Sequence, residues 1–345
     1  MHKFKKRRPF QLLLTAGLCL GTLNSTGAAL WLEEPVRPPV APVVEFQETE
    51  VPVPSPEEEA RAAAERAARQ SRAAALLAGK QLTREQREAL ALRMGADDAL
   101  FQKLEQGGLS LSELEWLVLP NARSHRLDRY AAWAEAHPED SRETAVFQVN
   151  LNRDQAFYSL IWEVADPDSL GVLVNKHYTL SASHVPQLEA LGRDYGSGSL
   201  RPEAAQAFRA MVDGAKADGI ALRSVSAYRS YNQQKNTHNR YLKQYKQAVV
   251  DTFSARPGHS EHQTGLALDI NVASSSAHFE NTPAFAWLKE HCAQYGFILR
   301  YGQGKEDITG YRFEPWHYRY VGVETAQAVM EQGLAYEEYL ALQPN

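Results

Sequence analysis

The sequence has little cysteine: Cys19 and Cys292 are its only two in 345 residues. Two cysteines close at most one disulfide, which excludes a small scaffold held together by disulfide bonds. Cys19 lies in the N-terminal segment, and removal of that segment would leave Cys292 as the only cysteine, so export of the chain would not imply an internal disulfide. Cys292 follows Leu288 by four residues on a predicted helix, and we expect it in the core.

An excess of basic residues is also missing, since 37 Lys and Arg stand against 42 Asp and Glu and the net charge is −5. Loss of residues 1–29 would remove five basic and no acidic residues, so the net charge falls to −10. This balance argues against binding of nucleic acid or anionic lipid by bulk electrostatics.

A long apolar run occurs at the N-terminus. The basic segment 3–8 precedes apolar residues 10–23 and then small residues up to Ala29, which is the three-part pattern of a secretory signal. We therefore expect residues 1–29 to be a signal peptide or signal anchor, and the protein to be exported to the periplasm or cell envelope. Trp31 and Leu32 could extend the apolar run into an uncleaved membrane anchor.

Residues 30–56 are predicted to be an extended linker, because prolines interrupt any helix there. These are Pro35, Pro38, Pro39, Pro42, Pro52, Pro54 and Pro56. Residues 57–140 are predicted to be helical and carry no recognisable chemistry. Their first part, to about Leu77, is rich in Ala, Glu and Arg and has few large residues to bury, so it could be an exposed helix or the surface for a protein partner.

Two capping boxes are predicted inside this helical region. Thr83 precedes Gln86 by three residues and Ser112 precedes Glu115 by three, the spacing at which each side chain bonds the other residue's backbone N–H. We expect a helix to begin at each position.

The candidate chemistry lies in two short segments, Ser260-Glu-His-Gln-Thr-Gly-Leu-Ala-Leu-Asp269 and Glu314-Pro-Trp-His317. His262, Asp269 and His317 offer two imidazoles and one carboxylate, which would leave the fourth position of a tetrahedral zinc ion open for water. The same ligands could accept other divalent transition metals. Glu314 is the candidate base beside them.

The surroundings of Asp269 favour this interpretation. Gly265 allows a sharp turn, and residues 266–272 then have the apolar pattern of a buried strand. A carboxylate within such a strand is costly to bury unless a cation or hydrogen bonds compensate it. His259 is the rival ligand, but it lies in a loop with no helix to align it with His262, so we predict His262.

These residues resemble those of the VanY-type zinc carboxypeptidases of bacteria, which trim D-alanine from peptidoglycan stem peptides. The resemblance covers about residues 160–325 and does not reach the N-terminal half; Gly302 stands where that family leads us to expect proline. The matching elements, in the family's order, are Leu173-Val-Asn-Lys176, Ser226-Ala-Tyr-Arg-Ser230 with Gln234, Pro257-Gly-His-Ser-Glu-His-Gln-Thr-Gly-Leu-Ala-Leu-Asp-Ile270 and Ile308-Thr-Gly-Tyr-Arg-Phe-Glu-Pro-Trp-His-Tyr-Arg-Tyr-Val-Gly322.

The resemblance implies that His262, Asp269 and His317 are zinc ligands and that Glu314 is the general base, which could also protonate the leaving amine. It also implies that Arg229 faces the substrate. The planar guanidinium of Arg229 could bind a terminal carboxylate or the oxyanion formed during attack, and the sequence leaves both roles open.

Three further residues are candidates for substrate binding. Gln234 lies five residues after Arg229, and Ser260 lies beside the metal motif; both could equally be ordinary polar residues of a helix or loop. Trp316 is expected to form a wall of the pocket.

Residues 145–345 are predicted to be the catalytic domain. The expected helices span about 202–219, 232–249 and 283–295, and the expected strands lie at 222–225, 266–272, 297–301 and around Glu314. The predicted fold class is α+β: a small mixed, mostly antiparallel sheet with flanking helices carries the zinc site, and a helical N-terminal region precedes it.

The expected function is that of an exported zinc-dependent carboxypeptidase that removes the C-terminal D-Ala from peptidoglycan stem peptides. L,D-carboxypeptidase activity and endopeptidase activity on crosslinks stay open. A non-catalytic, zinc-stabilised module that binds the cell wall is an alternative of another class, against which the presence of Glu314 and Arg229 argues.

Overall fold

The computed structural model of the chain describes residues 55–272 and 278–344. The predicted leader 1–29 lies outside the described residues, as does the predicted linker except for its last two residues, so both stay predictions. None of the helices in the described residues combines the length and the apolar character that crossing a membrane requires.

The N-terminal part of the described chain is helical, as predicted. Its helix α1 is largely exposed and buries only Ala73 and Leu77, whereas the later helices enclose a small core that includes Leu90, Leu114 and Tyr130. The helices are α1 (Pro56–Leu77), α2 (Arg84–Ala96), α3 (Asp98–Glu105), α4 (Leu111–Leu117), α5 (Leu127–Ala136) and α6 (Arg142–Asn150).

One of the two predicted capping boxes is present. Gln86 N donates to Thr83 Oγ1 at 3.2 Å, and Thr83 N donates to Gln86 Oε1 at 2.8 Å. The second prediction is wrong, because α4 begins two residues earlier than Ser112 implied and its box pairs Ser110 with Glu113. The earlier start places two buried leucines on either side of the cap, Leu109 before it and Leu114 after it, the arrangement of a hydrophobic staple.

The remaining described residues alternate strands and helices. The strands are β1 (Trp162–Glu163), β2 (Tyr178–Thr179), β3 (Glu189–Ala190), β4 (Ser199–Leu200), β5 (Arg223–Ser226), β6 (Ala267–Asn271), β7 (Phe297–Leu299) and β8 (His317–Tyr320). The helices are α7 (Pro202–Ala217), α8 (Tyr231–Leu242), α9 (Gln247–Val250), α10 (Pro283–His291), α11 (Glu306–Thr309), α12 (Val323–Glu331) and α13 (Tyr336–Leu342).

A four-stranded antiparallel sheet in the order β5-β6-β8-β7 forms the centre of this part. The two short pairs outside it are parallel for β1–β2 and antiparallel for β3–β4. The predicted α+β class with a small, mostly antiparallel sheet is therefore confirmed. In the central sheet, β6 pairs with β8 so that Asp269 lies directly opposite His317.

Helices α7 and α10 contribute to the apolar core around this sheet. Phe208 of α7, Leu288 of α10 and Ile270 of β6 are all fully buried in one cluster. Cys292 is buried in the same cluster, as expected, and its burial raises the pKa of the thiol to about 12. The continuous helix predicted at 232–249 is instead two helices, α8 and α9; residues 242–249 are exposed, so no apolar face holds them in one helix.

The helical region contacts the C-terminal helix α13. The side-chain amides of Asn121 and Asn150 both donate to Ala341 O, at 3.1 Å and 3.2 Å, and Arg123 Nη2 donates to Leu340 O at 3.2 Å. These three bonds satisfy carbonyl groups at the end of α13, which have no partner within the helix itself.

Replacement of Gly265 by alanine should destabilise the protein more than a glycine substitution in open space. Gly265 has φ +69°, and a Cβ there would lie 3.1 Å from Arg201 Cγ and 3.2 Å from both Leu188 Cδ2 and Pro186 Cγ. The left-handed conformation alone costs an alanine about 1–2 kcal/mol, so Gly265→Ala should lower the free energy of unfolding in urea by more than that.

Gly304→Ala is the matched control, since Gly304 has φ +77° and nothing within 4 Å of the added Cβ. Equal losses in the free energy of unfolding for Gly265→Ala and Gly304→Ala would mean that the side chains around Gly265 move aside at no energetic cost.

Candidate active site and metal centre

Three side chains converge on one face of the central sheet. Asp269 of β6 and His317 of β8 are cross-strand partners, so their side chains project to the same side. His262 comes from the 3₁₀ turn Glu261–Thr264, which ends at Gly265 and leads into β6. Asp269 Oδ1 lies 3.2 Å from His317 Nδ1 and 3.5 Å from His262 Nε2. The structure thus brings together the three predicted ligands.

Hydrogen bonding fixes which nitrogen of His262 faces the cluster. Its Nδ1 lies 2.7 Å from Ala227 O. A carbonyl can only accept, so the ring proton is on Nδ1 and the lone pair of Nε2 points at Asp269 and His317. The two imidazoles are T-shaped with ring centroids 4.9 Å apart, and one ligand atom from each of His262, Asp269 and His317 lies within 4.8 Å of the other two.

The electrostatics of Asp269 fit a bound cation. Burial alone would raise the pKa of Asp269, but His262 and His317 outweigh it and hold the pKa well below its usual range. Its Oδ1 is buried and has no hydrogen-bond partner among the described residues. A buried carboxylate oxygen without a donor is costly, and a cation between the three side chains would compensate it. Two imidazoles and one carboxylate match the three protein ligands of a catalytic zinc site.

His317 has a second carboxylate on its other side. Its Nε2 lies 3.6 Å from Oε2 of the fully buried Glu261, while its Nδ1 faces Asp269. Burial opposes a positive charge on the ring, but the adjacent carboxylates of Asp269 and Glu261 prevail and raise the pKa of His317 to about 9. Surroundings that favour a proton on this ring also favour a metal ion at Nδ1.

Glu314 lies beside the ligands, as predicted. It is buried, and its Oε2 is 3.7 Å from His317 Nδ1. Its backbone is held on both sides, because Glu314 N donates to Tyr301 O and Glu314 O accepts from His317 N, both at 3.1 Å. Burial raises the pKa of Glu314 to about 7 against the opposing charge of His317. A carboxyl group with such a pKa can both accept and donate a proton near neutral pH.

Arg229 lies in the loop between β5 and α8 and approaches the same cluster. Its Nη1 donates to Gln234 Oε1 and its Nη2 to Ser226 Oγ, both at 2.9 Å, and Nη2 is 3.9 Å from Asp269 Oδ2. Gln234 is buried and also donates from Nε2 to Ala255 O at 2.6 Å. Both polar ends of Gln234 are therefore engaged within the protein, and its contact with Arg229 orients the guanidinium.

The remaining predicted site residues line a cleft above the ligands with a volume of about 460 Å³. Ser260 is buried and Trp316 is 37% exposed, and both line this cleft. Such a volume suits a small ligand or the end of a peptide. The cleft is also lined by residues that the sequence motifs did not indicate as site residues, which are Thr237, Arg240, Tyr241, Phe253, Ser254, Ala255, Glu261, Tyr301, Tyr311 and Arg312.

His259 does not belong to the ligand cluster. Its Nδ1 lies 2.8 Å from Asn175 O, and its ring packs edge-on against Tyr158. In the part of the chain that the structure describes, His262, Asp269 and His317 form the one group of histidine, cysteine or acidic residues arranged to hold a metal ion.

Sequence reasoning missed the buried charges behind His317. Glu261 accepts hydrogen bonds from Arg300 Nε at 2.8 Å and Arg319 Nη1 at 3.2 Å. Burial would raise the pKa of Glu261, but the two arginines outweigh it and hold the pKa well below its usual range. The signal that could have revealed this cluster is the presence of arginines inside the apolar strand segments 297–301 and 317–321.

Three converging metal-ligand atoms with an adjacent carboxyl group in one cleft are the arrangement typical of metal-dependent hydrolases. Comparison with known proteins gives the family. The model of the family described as "VanY: D-alanyl-D-alanine carboxypeptidase" matches residues 197–323. The putative carboxypeptidase YodJ of Bacillus subtilis is 39% identical over 189 residues, which are 51% of this chain and 68% of YodJ.

Two solved structures are also similar in sequence. The LD-carboxypeptidase LdcB, whose structure concerns peptidoglycan recognition, is 37% identical; the match covers 52% of this chain and 89% of that chain, with a TM-score of 0.49. A mutant of the vancomycin resistance D,D-pentapeptidase VanY, from the VanB-type cassette and in complex with Zn(II), is 36% identical; the match covers 49% and 98%, with a TM-score of 0.45.

The chain belongs to the VanY D-alanyl-D-alanine carboxypeptidase family. It is a peptidase of this family, and the ligand cluster His262, Asp269 and His317 has the donor set of a zinc site. Helices α1–α6 lie outside the residues that the family model matches.

Substitution of His262 should abolish zinc binding, whereas substitution of His259 should not. His262→Ala removes one of three converging ligand atoms, while His259→Gln keeps a donor for Asn175 O and leaves the cluster complete. We expect the wild type and His259→Gln each to hold one zinc ion per chain after dialysis, as measured by elemental analysis. Retention of zinc by folded His262→Ala would contradict the assignment of this ligand.

Proposed function

We propose that this protein removes the C-terminal D-amino acid from peptidoglycan stem peptides. The observation that carries the proposal is the placement of Glu314, a buried carboxyl group with a pKa of about 7, within 3.7 Å of His317 in the ligand cluster. Relatives described as D-alanyl-D-alanine carboxypeptidases and as an LD-carboxypeptidase support the substrate class.

The residues of the chain have distinct roles in the proposed hydrolysis. Zinc, when bound by His262, Asp269 and His317, supplies a Lewis acid that lowers the pKa of water from 15.7 to about 7. Glu314 accepts the proton of the attacking water and returns it to the leaving amine. Arg229, held by its bonds to Gln234 and Ser226, binds the terminal carboxylate of the peptide or the developing oxyanion.

The place of action follows from the substrate. Crosslinked peptidoglycan lies outside the cytoplasmic membrane, so the proposal requires export, to which the basic and apolar leader 1–29 is suited. The leader acts either as a cleaved signal peptide or as an anchor.

The preferred bond is the finer part of the proposal. We propose cleavage between two D-alanines in a pentapeptide stem as the main activity, because the matching family model describes this specificity. Cleavage between an L-residue and D-alanine in a tetrapeptide is the second candidate, favoured by the 37% identity with LdcB.

Glu314→Gln should abolish hydrolysis and leave zinc binding intact. Glutamine keeps the size of the side chain but cannot take a proton, and loss of a general base typically costs about 10²–10⁴-fold in rate. The assay supplies pentapeptide, tetrapeptide and crosslinked muropeptides to the leader-free protein, with and without chelator, and identifies products by mass spectrometry.

The matched control is Glu331→Gln, an exposed position of α12 that should keep full activity. Release of D-alanine from the pentapeptide would support the proposed bond, and release from the tetrapeptide alone would move the assignment to the second candidate. Binding of all muropeptides without any cleavage by the wild type would favour the non-catalytic wall-binding module instead.

Arg229→Gln should impair cleavage of a peptide with a free C-terminus far more than cleavage of the same peptide with a C-terminal amide. Arg229 lines the cleft, and its Nη2 lies 3.9 Å from Oδ2 of the ligand Asp269. A guanidinium this close to the ligands could hold the terminal carboxylate of the peptide beside the scissile bond. Loss of a buried charge-assisted bond costs about 1.5–3 kcal/mol, which corresponds to a 10- to 150-fold lower kcat/KM.

Arg312→Gln serves as control, because Arg312 lines the same cleft and stacks on Phe253. Equal losses of kcat/KM on the acid and the amide for Arg229→Gln would assign Arg229 to the oxyanion and not to the carboxylate.

A further inference from the structure

Two buried atoms without hydrogen-bond partners face each other behind the metal site. Glu261 Oε2 and His317 Nε2 are both buried, neither has a partner among the described residues, and they lie 3.6 Å apart. The other carboxylate oxygen of Glu261 is held by Arg300 and Arg319. A small rotation of the imidazole would therefore let Nε2–H donate to a carboxylate that is already fixed in place.

The arginine behind Glu261 is itself held by a second carboxylate. Arg300 donates from Nη1 and Nη2 to the two oxygens of Glu337, at 2.8 Å and 2.6 Å. Glu337 is buried on α13 and also accepts from Asn175 Nδ2 at 3.1 Å. Position 337 lies outside the segment 197–323 that the family model matches, so this support belongs to a part of the chain that the family description does not cover.

We propose that Glu261, Arg300 and Glu337 form a positioning relay that fixes His317 for metal binding, and that the helical region α1–α6 acts on the metal centre by holding α13 in place. The relay rests on the proposed role of His317 as a metal ligand. A histidine whose outer nitrogen donates to a carboxylate is locked in one tautomer and one orientation, here with the lone pair of Nδ1 directed at Asp269. Arg300 and Glu337 are not among the residues that line the cleft, and the side chain of Glu261 is fully buried.

The helical region contributes through the end of α13. Asn121, Asn150 and Arg123 donate to the carbonyls of Leu340 and Ala341, three and four residues after Glu337. Glu337 and these carbonyls belong to the same short helix, so a shift of its C-terminal end moves the Glu337 carboxylate, which orients Arg300. This gives a role in metal binding to helices in which the sequence indicates no chemistry.

The relay is tested by the zinc affinity of the full leader-free protein, measured by competition with a chromophoric chelator, together with the melting temperature of the zinc-free protein. Glu261→Gln and Glu337→Gln keep side-chain size but remove the carboxylate, and second-sphere changes of this kind lower metal affinity about 10- to 100-fold. The matched control is Glu338→Gln, next to Glu337 on α13, whose carboxylate binds Lys305 and not the relay.

Lower zinc affinity in Glu261→Gln and Glu337→Gln, with Glu338→Gln unchanged, is the expected result. A lower melting temperature with wild-type zinc affinity in both relay variants would show that these residues only stabilise the fold, and would overturn the relay. If Glu337→Gln does not fold, Glu261→Gln alone decides the outcome by the same criterion.

The contribution of the helical region is tested by the double variant Asn121→Ala/Arg123→Ala, which removes two of the three bonds to α13. Its control is Lys103→Ala/Arg142→Ala, which removes two ion pairs inside the helical region, to Glu113 and Glu115. We expect a several-fold lower zinc affinity for Asn121→Ala/Arg123→Ala and no change for the control. Added to Glu337→Gln, the double substitution Asn121→Ala/Arg123→Ala should lower the zinc affinity little further, because both changes act through the same contacts. The proposed contribution of the helical region would be overturned if Asn121→Ala/Arg123→Ala left the zinc affinity unchanged, or if its effect and that of Glu337→Gln were fully additive.

These measurements are made without substrate, so they separate the relay from the proposed hydrolysis. Weaker zinc binding in the relay variants of a protein that cleaves no muropeptide would support the relay while the proposed function fails. A protein that cleaves muropeptides but binds zinc equally well with glutamine at 261 and 337 would retain the function and refute the relay.

Discussion

The active site depends on how the charges of two carboxylates next to the central sheet are compensated. Asp269 and Glu261 are eight residues apart in sequence and lie on opposite sides of His317, and each has a buried oxygen at which an unpaired charge would be costly. The pKa values of both are held well below their usual range, so both are anions at neutral pH. Each therefore requires positive charge close by.

The two carboxylates obtain this positive charge in different ways. Glu261 is a supporting residue, whereas Asp269 is a candidate metal ligand. Glu261 faces the protein interior, where Arg300 and Arg319 supply two permanent charges through hydrogen bonds. Asp269 faces the cleft, where only imidazoles and the more distant Arg229 approach it and its Oδ1 has no donor among the described residues. The protein thus balances the charge of Glu261 with its own arginines and leaves that of Asp269 to a metal ion.

The part of the site whose residues lie close together in sequence could be predicted. His262, Gly265 and Asp269 stand in one short segment whose turn and strand follow from glycine and an apolar run, and the structure has that turn and strand. His317 could be assigned to the same site from the segment Glu314-Pro-Trp-His317. The opposing register of β6 and β8, which puts Asp269 against His317, is a long-range feature that periodicity does not specify.

The supporting charges could not be predicted, because their partners are far apart in sequence. Arg300 lies 39 residues from Glu261 and 37 from Glu337, and no local pattern signals such pairs. The same limit explains the errors in the helices. Two possible capping boxes lie two residues apart, and the one that forms is the one with the buried leucines Leu109 and Leu114 on either side of its cap. The break between α8 and α9 reflects an absence of packing partners that becomes visible only in three dimensions.

The division between sheet and loops also explains why the family is clear while the preferred bond is a matter for experiment. The groups that would carry out hydrolysis are fixed by the sheet and its adjoining turns, where a shift of one residue would turn Asp269 away from His317. The walls of the cleft come instead from α8 and from loop residues such as Phe253, Arg312 and Trp316. Loops tolerate change that strands do not. Similarity in the ligand motifs therefore reports the reaction, whereas we expect the choice between a D- and an L-residue before the scissile bond to depend on the side chains that wall the cleft.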